Sequence, residues 1–120
     1  MKRDMDLVRE ILLYVEKCET FVGPGTVKLE GHSDEVVEYH LKLLHEAGLL
    51  DVDTPSRNPY GTSWGVRGLT WQGHEFLDAA RNDTIWRKSL GTLQKAGIGA
   101  TKEVLVPLLL SLAKLQLGIA

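Results

Sequence analysis

Apolar positions fall at helical spacing through much of the chain, with short strand-like runs between them. Leu7, Val8, Ile11, Leu12 and Val15 form one stripe, which predicts a first helix from Asp4 to about Lys17. Asp4 or Asp6 caps it, and Arg3, Arg9, Glu10 and Glu16 face water. Phe21 to Thr26 contains Gly-Pro-Gly and reads as a turn, and Thr26–Leu29 as a short strand. Ser33 then opens a second helix. Asp34 and Glu35 sit in its first turn, where the helix dipole favours anions. Val37, Leu41 and Leu44 carry its apolar face, broadened by Val36, His40 and Leu43, and Gly48 supplies the left-handed position that ends it.

Leu50 and Val52 alternate like a strand, Pro55 to Thr62 breaks the pattern, and Trp64 to Leu69 resumes it. A hairpin with a loose tip follows the Ser33 helix. Thr70 caps a third helix ending near Arg81, in which Gly73 permits close approach to the sheet and Phe76, Leu77 and Ala80 face inward. Asn82-Asp-Thr84 interrupts, and Ile85, Trp86, Leu90 and Leu93 begin a fourth helix, weakened and ended by Gly91, Gly97 and Gly99. The expected fold class is α+β, mostly helical: a winged helix-turn-helix-like domain over residues 1–81 with a small antiparallel sheet, and a helical extension over 82–120. The usual helix before the recognition helix is missing, since only Gly31, His32 and their neighbours stand in its place.

From Thr101 to Ala120 the apolar residues spread around the helix. Leu105, Leu108, Leu109, Leu112, Leu115 and Ile119 line one side, with Val104, Leu110 and Leu117 elsewhere. The uninterrupted core, Val104 to Ala113, is about half of the ~20 residues a membrane span needs. The pattern predicts a homodimer built on Leu105, Leu108, Leu109, Leu112 and Leu115, and no membrane partner. Pro107 is tolerable in the first turn or at a kink.

Composition changes the picture at one place. The chain has 120 residues, a net charge of −2 and a single cysteine, Cys18, which excludes an internal disulfide framework. The charged N-terminus has no apolar signal region behind it, so the cytoplasm is the expected compartment. Over Ser33 to Leu50, Asp34, Glu35, Glu38 and Glu46 oppose Lys42, a formal charge of −3. Base reading relies on Arg, Lys, Asn and Gln, with cations on phosphates. Tyr39, Lys42, Arg57, Asn58 and Arg67 are the plausible DNA contacts. Fold favours that use and charge opposes it. The alternative is an acidic protein-binding face formed by Asp34, Glu35 and Glu38.

No cofactor, metal site or catalytic group is expected. His40 and His45 do not share a helix face, and His74 with Asp78 lacks a third ligand. His40 reads as a partly buried core residue bonded across the helix–wing junction. Gly23 to Lys28 lacks the Gly-Lys-Ser/Thr ending of a phosphate loop. Trp64, Trp71 and Trp86 read as packing aromatics rather than as a pocket.

Two stretches, Met1 to Leu12 and Gly68-Leu-Thr-Trp-Gln-Gly-His-Glu-Phe-Leu-Asp-Ala-Ala-Arg81, resemble a family of small phage and prophage proteins of unknown function. Tyr39 to Leu49 fits its middle and Thr84-Ile-Trp86 its later part. The resemblance implies a winged-helix-like fold and a mobile-element origin. More distantly, His40 to Leu49 is similar to the recognition helix of dimeric arsenic- and antibiotic-responsive bacterial repressors. The family likeness supplies no activity of its own; the leading expectation is a DNA-binding transcription regulator within a mobile element, not an enzyme. The alternative is an interaction module that offers its acidic helix to a basic host or phage protein, for instance as an inhibitor of a nucleic-acid-binding or defence protein.

Overall fold

The computed structural model describes residues 1–53, 55–59 and 61–118, and for Asn58 the backbone alone. It is α+β and mostly helical. The order is α1 (Met5–Glu16), α2 (Asp34–Glu46), β1 (Leu50–Val52), β2 (Ser56–Asn58), β3 (Gly61–Ser63), β4 (Val66–Leu69), α3 (Trp71–Ala80), α4 (Asp83–Lys95) and α5 (Lys102–Gln116). The chain divides into two compact units, Met1–Glu75 and Phe76–Ala120, with the division inside α3.

In the first unit the predicted stripes become the core. Leu7, Val8, Ile11, Leu12 and Val15 of α1 are buried, as are Val37, Leu41 and Leu44 of α2. Asp4 caps α1 by accepting from the Asp6 and Leu7 amides at 2.9 and 3.3 Å. Ser33 caps α2 by accepting from Val36 N at 3.2 Å. Each cap satisfies helix-end amides that otherwise lack partners. His40 is completely buried. Its Nδ1 lies 2.9 Å from the Val36 carbonyl, and its Nε2 accepts the Asp4 amide at 2.8 Å. Its expected bond to the wing is therefore replaced by one to the start of α1. An imidazole that donates at one nitrogen and accepts at the other fits a carbonyl and an amide at once.

β1 pairs antiparallel with β4, Leu50 opposite Leu69 and Val52 opposite Val66, with a bulge between Asp51 and Val52. The expected loose tip is a second short hairpin, in which β2 pairs with β3 and Arg57 lies opposite Thr62. The Asp53 amide donates to Gly65 O at 2.8 Å between the two ladders. The expected strand at Thr26–Leu29 is reduced to one bridge, Gly25 with Val66. The Gly-Pro-Gly turn brings a single residue into register, and Val27 is buried beyond it. Among the described residues no helix lies between α1 and α2, whose N-cap Ser33 follows a turn at Glu30 and Gly31.

Gly48 (φ +74°) turns the chain out of α2, and the Thr70 hydroxyl donates to its carbonyl while accepting the Gly73 amide at 3.0 Å. A Cβ on Gly73 would lie 2.1 Å from Leu49 O, so only glycine lets α3 start this close to the β1 backbone.

In the second unit Asn82 caps α4 through Ile85 N at 3.0 Å. Phe76 meets Trp86 edge-on at 6.3 Å. Ser89 is buried, and its Oγ has no hydrogen-bond partner among the described residues. In α5, Leu105 and Leu109 are completely buried within the chain. That removes both from the expected dimer face, because a side chain covered by its own subunit has no surface left to offer. Leu108 and Leu112 are half-buried, whereas Leu115 is exposed; Ile119 lies outside the described residues. Pro107 stands in the second turn of α5, on its exposed side, rather than in the first turn. No helix among the described residues is long and apolar enough to cross a membrane.

Candidate functional site

The core-facing stripe of α2 fixes what its other side presents. With Val37, Leu41 and Leu44 inward, Asp34, Glu35 and Lys42 point to solvent, and Glu38 and Tyr39 lie half-buried beside the hairpin. A groove of about 520 Å³ runs between them, walled by Asp34, Glu35, Glu38, Tyr39 and Lys42 on α2 and by Gly61, Thr62 and Trp64 opposite. It adjoins a hollow of about 220 Å³ that shares Asp34, Glu38, Gly61 and Thr62 and reaches Lys28.

Glu38 differs from its expected role as a free surface carboxylate. Its Oε2 accepts the Trp64 amide at 2.8 Å, joining α2 to the end of the hairpin. Burial raises its pKa above the usual carboxylate range, against the opposing effect of that amide. Trp64 is held from a second direction by His45, with ring centroids 5.5 Å apart. Trp71 is 77% exposed, and Trp86 is buried and meets Phe76.

Of the expected DNA contacts, Lys42 and Arg67 face carboxylates, as does Lys28, which was not among them. Lys42 faces Glu46 at 3.7 Å, one helical turn on, and Lys28 faces Asp34 at 3.7 Å. Arg67 is clamped on Asp53: its Nε donates to Oδ1 at 2.6 Å and its Nη2 meets the same oxygen. Hydrogen bonding and charge from Asp53 hold the guanidinium still more firmly protonated. Arg57 is exposed on β2, and the Asn58 side chain lies outside the described residues. The groove thus gathers Tyr39 and Lys42 with Asp34, Glu35 and Glu38, whereas Arg57 and Arg67 are not among its walls.

Two parts escaped the sequence reading. The Asp53–Arg67 clamp joins residues 14 apart, which no local motif reveals. Trp64 was read as a packing residue. Its place beside the Pro55–Thr62 break was the available sign that it could face α2. No group of three or more His, Cys, Asp or Glu among the described residues is arranged to hold a metal ion.

The profile of the hypothetical-protein family DUF2513 matches residues 2–99. The chain belongs to the DUF2513 family. It is 42% identical over 100 residues to an "Uncharacterized protein" of Haemophilus influenzae, covering 82% of this chain and 83% of that relative. No solved structure matches the chain. The DUF2513 match takes in the whole groove and ends before α5 begins at Lys102.

Proposed function

We propose that this DUF2513 protein is a protein-interaction module, a reduced winged helix whose groove between α2 and the hairpin takes an arginine-bearing segment of a basic partner. The observation that carries this reading is the lining itself: Asp34, Glu35 and Glu38 together with the rings of Tyr39 and Trp64. A guanidinium suits such a wall, since it pairs with carboxylates in its plane and stacks on aromatic faces. A phosphate backbone does not suit it. Lys28, Lys42 and Arg67 each already face a carboxylate. A nucleic-acid-binding host or phage protein has the matching charge, with the carboxylates standing where phosphates would. A mobile-element origin accords with this reading, which assigns no catalysis to the chain.

A second reading, a DNA-binding transcription regulator, draws on one observation. Arg57 is exposed on the outer hairpin, where a wing would reach phosphates.

Titration with an arginine-rich peptide, a lysine-rich peptide and duplex DNA, at about 50 and about 200 mM salt, separates the readings. Under the first, the arginine peptide binds more tightly than the lysine peptide, and Glu35→Lys weakens it about tenfold. Glu35 is the better position for reversal, because Glu38 also holds the Trp64 amide. Under the second, duplex DNA binds with steep salt dependence, Arg57→Ala weakens it and Glu35→Lys strengthens it. Failure of the arginine peptide to bind at the lower salt sinks the interaction reading.

A further inference from the structure

α5 is amphipathic in an unusual sense: its buried side is apolar, and its exposed side is patterned rather than simply polar. Leu105 and Leu109 fill the interior. On the opposite side Glu103, Pro107, Leu110 and Lys114 follow one another at intervals of four, three and four residues, which stacks them along one ridge. All four are exposed, with Leu110 at 48%, and Val104 (39%) and Leu115 (67%) flank the ridge. Neither Glu103 nor Lys114 has an ion-pair partner among the described residues. The ridge therefore carries an anion at one end and a cation at the other, neither ion-paired among the described residues, with apolar side chains between.

The geometry points to a second copy of this chain as the occupant, with the two α5 helices packed antiparallel about a two-fold axis midway between positions 108 and 109. In that register Glu103 of each copy faces Lys114 of the other, and Leu110 of each meets Pro107 of the other. A two-fold contact must be self-complementary, and an anion–apolar–cation ridge is complementary to its own reverse. Parallel packing in register would set Glu103 against Glu103 and Lys114 against Lys114. The antiparallel arrangement also brings opposite helix-dipole ends together. A 15-residue helix is about 22 Å long, so one helix pair forms a small contact and a dissociable dimer. This surface belongs to α5, which lies beyond the residues matched by the DUF2513 profile.

Charge exchange tests the register. Sedimentation velocity of the full chain from about 10 µM to about 1 mM should show a monomer–dimer equilibrium in the unaltered protein. Glu103→Lys and Lys114→Glu each turn both salt bridges into like-charge contacts and should each weaken the dimer about tenfold or more. The double variant Glu103→Lys/Lys114→Glu should restore it to within about threefold of the original. That double variant has the least favourable charges for its own helix ends, so recovery would come from pairing between copies and not from a better helix. Circular dichroism confirms that each variant remains folded. A monomer at the highest concentration, single variants that dimerise normally, or a double variant that stays monomeric would each overturn the assignment.

Discussion

At Glu38 one side chain serves two ends that oppose each other. Its carboxylate braces the hairpin through the Trp64 amide, and burial makes ionisation there unfavourable. The folded carboxyl thus holds its proton over a pH interval in which the unfolded chain has already released it. Across that interval the folded state binds more protons, so stability falls as pH rises, and the loss is complete above the folded pKa. Glu38→Gln keeps an oxygen for the Trp64 amide and cannot ionise. Denaturant unfolding of both proteins between about pH 4 and about pH 7 should therefore show the wild type losing ground to Glu38→Gln as pH increases, starting near the ordinary glutamate pKa of about 4.3. A difference independent of pH would mean that burial does not disfavour the charged form.

Among the elements, α5 separates what amphipathic patterning can and cannot tell. Of the leucines at 105, 108, 109, 112 and 115, the first four are buried or half-buried and Leu115 is exposed; sequence has no way to say whether a subunit's own core or a partner covers such a stripe. Leu105 and Leu109 went to the core. Leu109→Asp places a carboxylate in a sealed site and should cost about 3–5 kcal/mol or prevent folding. Leu110→Asp, next along the chain and 48% exposed, should change stability by less than about 1 kcal/mol while weakening the α5–α5 dimer. Equal loss of melting temperature in the two variants would show that the helix is seated differently. The helices with sharp caps were legible for a physical reason: Asp4, Ser33, Thr70 and Asn82 are short side chains that reach the first free amides, so their positions declare the ends. The sheet was less legible. Three-residue strands contain too little alternation to fix pairing, and whether residues 26–29 join as a strand or as the single Gly25–Val66 bridge depends on the turn's shape. The acidic helix face could be read from Asp34, Glu35 and Glu38. The groove could not, because its other wall is the hairpin, whose course past Tyr39 is set by tertiary packing.

For the whole molecule, the proposed groove and the proposed α5 contact have a joint consequence that neither has alone. A two-fold dimer carries two grooves. A partner with two arginine-bearing segments would then bind twice, the second time at an effective concentration set by the connecting chain. Such a partner should bind the dimer more tightly than a single segment does, by a factor on the order of 10²–10⁴ when the linker spans the grooves, and by nothing when it is too short. A series of two-segment peptides with flexible linkers of increasing length would show affinity rising to an optimum and then declining. Lys114→Glu should abolish that optimum and leave single-segment affinity unchanged, because position 114 contributes nothing to the groove. Glu35→Lys should weaken both peptides. If the single segment binds and no linker length improves it, at concentrations where sedimentation shows dimer, the two grooves do not act together and each copy works alone.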